Sequence, residues 1–161
     1  MRQQIVMTPL FKKLNFKQHK EVFILNRPSE FVAEMEAMKS YTTIKEDINS
    51  ISSIQFVLAF VKSKSEVDTL IPLIDKKLEG DGTVWMAYPK GTSKKYRAEI
   101  NRDNGWEMLG AYGFEAVRQV AIDEDWSALR FRKVEFIKTM KRRPDSAMTK
   151  EGKVRTKNAS R

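Results

Sequence analysis

With 161 residues, 41% hydrophobic and 32% charged, and no cysteine, the chain has the size and composition of one soluble globular domain, and disulfides, thiol nucleophiles and cysteine-based metal sites are excluded. Its net charge of +9 is uneven: residues 141–161 carry eight basic and two acidic side chains, or +6, which leaves only +3 on the other 140. The longest apolar run, Phe56–Val61, is far short of the roughly 20 residues that span a bilayer, and Lys12, Lys13 and Lys17 interrupt any signal-peptide core, so a cytoplasmic protein with no membrane association is expected.

Thr8-Pro9 reads as a helix start, a capping hydroxyl followed by proline at the first helical position. Leu10, Phe11 and Leu14 then share one face of a short helix. Glu21–Leu25 is a buried strand ended by Asn26-Arg27-Pro28, and Ser29 is placed to cap a helix carrying Phe31, Val32, Met35 and Met38. Tyr41–Ile44 is a short strand candidate, and Lys45–Ser53 is polar and turn-rich. Gln55–Val61 is a second buried strand. Ser65 and Asp68 resemble a capping box for a helix with Val67, Leu70, Ile71, Ile74 and Leu78 at helical spacing. Pro72 lies inside that helix and is expected to kink it.

Gly80-Asp81-Gly82 reads as the turn into the strand Val84–Tyr88, which Pro89 stops. A helix is expected from about Asp103 to Tyr112, with Gly113 ending it. Phe114–Ile122 and Trp126–Val134 are separated only by Asp123-Glu124-Asp125, so they form an antiparallel hairpin. After Met140 the apolar pattern stops, and 141–161 has the composition of a basic, disordered tail. The expected fold is therefore a single α/β domain over 1–140, a three-layer sandwich with a mixed, mostly parallel sheet closed by a C-terminal antiparallel hairpin.

This order of elements is similar to the second half of Rossmann-like, AdoMet-dependent methyltransferases. More specifically, the segments KKLNFK (12–17), EVFILNRP (21–28), FVKSKSEVDTLIPLI (60–74), GTVWMAYPKGTS (82–93) and AIDEDWSALRFR (121–132) resemble an uncharacterised bacterial domain-of-unknown-function family with a methyltransferase-like fold. The resemblance implies that fold and a bacterial cytoplasmic setting, and it implies no activity.

The chemistry legible in the residues is sparse. A nucleotide-type cofactor needs glycine in the turn after the first strand, so that backbone can approach the ligand. Here that turn is Asn26-Arg27-Pro28-Ser29-Glu30, so no AdoMet site and no other cofactor is expected. His19 is the only histidine. It is read as a surface residue, and no metal site is expected.

The loop after the Val84–Tyr88 strand is the anion-binding candidate. Lys90, Lys94 and Lys95 supply charge, Thr92 and Ser93 supply hydroxyls and Gly91 permits tight backbone, without the spacing of a P-loop. The second candidate is the hairpin turn, where Asp123, Asp125, Trp126 and Arg130 could position a ligand or do acid–base work. The plain alternatives are a solvated loop and an acidic turn. The reading that follows is a non-enzymatic or degenerate Rossmann-like domain that binds a small anion or a protein partner at the carboxyl edge of its sheet. The alternatives are an enzyme using Lys90, Asp123 and Asp125, and weak, non-specific nucleic-acid contact through the tail.

Overall fold

Continuous apolar runs such as EVFIL and QFVLAFV suit strands covered on both faces, and the sheet uses them so. In the computed structural model, which describes residues 8–17, 19–50 and 53–137, six strands form one sheet. They are β1 (Glu21–Leu25), β2 (Thr43–Lys45), β3 (Ile54–Phe60), β4 (Leu78–Pro89), β5 (Phe114–Ala121) and β6 (Trp126–Lys133), in the spatial order β2-β1-β3-β4-β6-β5. The first four are mutually parallel, and β6 runs antiparallel to both β4 and β5. The tail expected at 141–161 lies outside the described residues.

Alternate side chains of each strand enter different cores. Phe23, Leu25, Val57, Ala59, Val84, Met86 and Phe131 pack under α3 (Lys64–Lys77) and α4 (Glu107–Ala111). Val22, Ile24, Phe56, Leu58, Phe60, Trp85 and Trp126 pack under α1 (Pro9–Lys13) and α2 (Val32–Met38). The molecule is thus a three-layer α/β sandwich with a mixed sheet. The direction of the crossovers explains the layers. From β1 the chain steps through α2 to β2 on one side, and from β3 it steps through α3 to β4 on the other. Crossovers of one hand running in opposite directions put their helices on opposite faces.

Local chemistry fixes the ends of the elements. The Thr8 hydroxyl accepts from the Phe11 amide at 3.2 Å, with Pro9 opening α1. Trp85, fully buried in β4, donates its indole N–H to the Leu14 carbonyl at 2.8 Å and so ties the end of α1 to the sheet.

Ser29 does not cap α2, since it opens a 3-10 turn, Ser29–Phe31, and Phe31 precedes the helix. Four further boundaries differ from the sequence reading. The cap of α3 is Ser63, not Ser65. Its hydroxyl accepts from the Glu66 amide at 3.2 Å, and the Glu66 carboxylate reaches back past the cap to accept from the Lys62 amide at 3.0 Å, a variant of the capping box. The helix ends at Lys77, and Leu78 already belongs to β4, so Gly80-Asp81-Gly82 lies within a strand instead of a turn. The pairing of β3 with β4 shifts register between Ile54 and Phe56. Gly80 there takes φ 49°, and a Cβ on Gly82 would collide with Leu78, so the glycines serve an irregular strand. The third is β2, which starts two residues later than expected, at Thr43. Finally α4 is only Glu107–Ala111, because residues 101–104 form their own turn closed by the Asn101 side chain.

Candidate functional site

In an open α/β sheet the crevice opens where neighbouring strands send their chains to opposite sides, beyond their carboxyl ends. Here that switch point is between β1 and β3. A cleft of about 320 Å³ lies there. The end of β1 contributes Asn26, Arg27 and Pro28, and the end of β3 with the first turn of α3 contributes Phe60, Lys62 and Glu66. Tyr96, from the loop between β4 and α4, and Trp126, the first residue of β6, complete it.

The backbone at the mouth is unusual. Asn26 takes φ 56°, a left-handed conformation that a non-glycine residue adopts at some cost. Arg27 donates from Nε to Glu46 Oε1 at 2.7 Å. Glu46 directly follows β2 and lies 20 residues beyond Asn26. In dinucleotide-binding sheets an acidic residue at about that distance takes the ribose hydroxyls. In this chain the corresponding carboxylate is engaged by its own arginine.

The aromatic wall is fixed by Glu30. Tyr96 donates its hydroxyl to Glu30 Oε1 at 2.6 Å, the Trp126 indole N–H reaches the same oxygen at 3.4 Å, and Lys95 Nζ lies 3.4 Å from Oε2. Partial burial pushes the Glu30 carboxyl up, but the bonds from Tyr96, its own amide, Trp126 and Lys95 outweigh that and pull it down to about 2. The same contact with Glu30 raises the Tyr96 phenol. Trp126 packs edge-on to Phe60 at 5.0 Å and tilts against Tyr96 at 4.9 Å. Lys62 Nζ stands 4.9 Å from the centre of the Tyr96 ring, a cation–π distance, and makes no ion pair among the described residues. The Glu99 amide donates to the Lys62 carbonyl at 3.0 Å, which seats the loop on the end of β3.

Only one of the residues singled out from sequence belongs to this cleft. Trp126 lines it and is also core, 1% exposed. Lys90, Thr92, Ser93 and Lys94 form the loop beyond β4, with Thr92 and Lys94 exposed. Ser93 donates to Asp125 Oδ1 at 2.8 Å and accepts from the Tyr96 amide at 3.0 Å, while the Lys90 amide donates to the Asp125 carbonyl at 2.8 Å. Loop and hairpin turn are therefore bonded together and hold Tyr96 in place. Asp123 accepts from the amides of Asp125 and Trp126, both at 2.8 Å, and so shapes the turn. Arg130 is four residues along β6 from Trp126, opposite Trp85 and Arg118 in the sheet. Burial first, and then Arg132, lower its guanidinium.

His19 departs from its surface reading. It is half-buried, with its ring against Phe56 at 5.2 Å and Phe16 at 5.6 Å, and burial followed by Lys17 lowers its imidazole. No group of three or more potential metal ligands occurs among the described residues, and no helix among them is long and apolar enough to cross a membrane.

No protein-family model matches the chain, and no curated protein matches it. Solved structures of similar shape include the fibrillarin pre-rRNA processing protein of Methanococcus jannaschii, at 13% identity over 73% of this chain and 67% of that one, with a TM-score of 0.47. The pyocyanin biosynthetic protein PhzM matches at 11% identity over 76% of this chain and 52% of its own, with a TM-score of 0.48. The N-methyltransferase NodS from Bradyrhizobium japonicum matches at 14% identity over 71% and 85%, with a TM-score of 0.41. At such scores and identities these likenesses carry no functional argument.

Proposed function

We propose that the protein is a Rossmann-like binding domain that takes a small anion in the cleft between the ends of β1 and β3, without a nucleotide-type cofactor. The observation that carries this reading is the cleft itself, at the switch point, with an aromatic wall and Lys62 left without a carboxylate partner among the described residues. The glycine-free turn and the Arg27–Glu46 pair count against a nucleoside. Asp123 and Asp125 already serve as acceptors for backbone amides and Ser93, which weighs against an enzyme built on them with Lys90. Nucleic-acid contact rests on the charge of residues 141–161 alone. A bacterial, cytoplasmic setting rests on the sequence resemblance alone, and no family model matches the chain.

Thermal unfolding with orthophosphate, small carboxylates and nucleoside monophosphates tests the proposal. A ligand at a hundredfold its Kd adds about 2.7 kcal/mol, which is several degrees for a domain of this size. At least one small anion is expected to give such a shift, and Lys62→Gln is expected to remove it. No shift with any anion, or an equal shift in the variant, contradicts the proposal. AdoMet is expected not to bind, and a micromolar Kd by calorimetry would overturn that part.

A further inference from the structure

The outer end of the sheet carries a second surface, apart from the cleft. Arg118 on β5 and Arg130 on β6 are direct partners across the antiparallel pair, and Arg132 follows two residues along β6. Alternation puts all three side chains on the face that holds Val120 and Ala128. Asp81 takes Arg132 through Nε at 2.9 Å and Nη2 at 2.6 Å. A second carboxylate, Glu115, stands opposite Arg132, fully buried and already engaged. Arg118 and Arg130 make no ion pair among the described residues. With both carboxylates counted, the three arginines still leave this face one positive charge in excess.

Like charges directly opposite in a sheet repel, and neither member of this pair is compensated. Arg130 is the sharper case. It is half-buried, and its Nε is buried with no hydrogen-bond partner among the described residues. Burial, then Arg132 and more weakly Arg118, lower its guanidinium, with Asp81 opposing them. Its terminal nitrogens are not buried and face solvent. A guanidinium dehydrated on one side and open on the other suits a carboxylate, which its planar fork takes with two parallel bonds. Val117, in the bulge beside Arg118, is 38% exposed, so apolar surface adjoins the pair. Partly desolvated arginines next to apolar surface are common anchors of protein interfaces. A lone small anion gains little here, because single exposed ion pairs are weak, whereas an acidic segment brings several carboxylates on one chain. Nucleic acid is the poorer match. Its binding surfaces neutralise several phosphates, while this one offers two unpaired cations. The hairpin's aromatics Phe114, Trp126 and Phe131 are buried, so no base can stack on them.

We infer that this face of the β5–β6 hairpin docks an acidic segment of another protein, whose carboxylates pair with Arg118 and with the terminal nitrogens of Arg130. The probes are fluorescently labelled hexaglutamate and hexathymidylate, followed by anisotropy with the full chain and its Arg118→Gln, Arg130→Lys and Lys76→Gln variants, at about 0.15 M salt to screen diffuse attraction. Arg118 and Lys76 are exposed, so those two variants fold as the parent does. Lys76 lies on α3, on the opposite face of the sheet. Hexaglutamate is expected to bind the parent, and Arg118→Gln to weaken it about tenfold, the loss of a charge-assisted pair. Arg130→Lys, which keeps the charge and removes the fork, is expected to weaken it about fivefold. Lys76→Gln, which removes one charge as Arg118→Gln does, is expected to leave it unchanged. If hexathymidylate binds as tightly as hexaglutamate and is lost in Arg118→Gln, the partner is nucleic acid and the inference is overturned. Hexaglutamate binding equally to all four proteins, or to none, also overturns it. These outcomes leave the anion cleft to its own test with Lys62→Gln.

Discussion

Glu30 holds together three parts of the chain that are distant in sequence, since its partners Tyr96 and Trp126 lie 66 and 96 positions away. Its carboxyl titrates near 2 in the folded protein against an ordinary 4.5. A depressed carboxyl stabilises the fold above its ordinary value, and that stabilisation is lost as pH falls through the folded one. The melting temperature is therefore expected to drop between pH 4.5 and 2, and Glu30→Gln to flatten that drop while lowering stability at neutral pH. Equal acid profiles for the two proteins would contradict the role given to Glu30. Trp85 offers a second test at this scale. Trp85→Ala is expected to cost about 3–5 kcal/mol, as large core truncations do. Trp85→Phe, which keeps an aromatic ring and loses the bond to Leu14, is expected to cost less, with about 0.5–1.5 kcal/mol from the bond itself. Denaturant midpoints measure both. Trp85 was legible from its place in an apolar run. Glu30 was not, because an acidic residue in a turn carries no local sign of partners brought in by the fold.

Among the elements, α3 shows what local pattern conveys. Its apolar spacing predicts the helix, yet two serines near its start compete as caps. Only Ser63 has extended backbone and the Glu66 amide within reach. Ser63→Ala is expected to cost about 1 kcal/mol, and Ser65→Ala close to nothing, by chemical denaturation; the reverse order would return the cap to Ser65. The β3–β4 pairing shows what local pattern conceals. Two glycines around an aspartate read as a turn, but tertiary pairing draws them into β4 across a register shift, and no local pattern reports that. The helix expected over Asp103–Tyr112 shortens for a related reason, since Asn101 gathers the amides of Asp103 and Asn104 into a separate turn.

For the whole molecule, buried strands, amphipathic helices and the closing hairpin were all visible in the sequence, and they suffice for a three-layer α/β sandwich. The position of the cleft was not visible, because it depends on strand order. Sequence drew attention to the loop after β4, where lysines and hydroxyls concentrate. The switch point instead falls between β1 and β3, and that loop reaches it through Tyr96. Arg27, Lys62 and Tyr96 are scattered along the chain and meet only once β1, β3 and the loop are assembled. The pairing of Arg27 with Glu46 had one available sign, the spacing of an acidic residue about 20 positions beyond the first-strand turn.

Ligand is expected to bind at this switch point and not on the lysine loop. Amide and indole chemical shifts followed by NMR during titrations with orthophosphate and small carboxylates decide between the two. The three tryptophans serve as internal reporters, since Trp85 is bonded to Leu14, Trp106 to Asn101 and Trp126 to Glu30. The predicted result is movement of the Trp126 indole and of the Asn26, Lys62 and Tyr96 amides, with the Trp85 and Trp106 indoles and the Thr92 and Lys94 amides unmoved. Shifts confined to Thr92 and Lys94, or none anywhere, would contradict it.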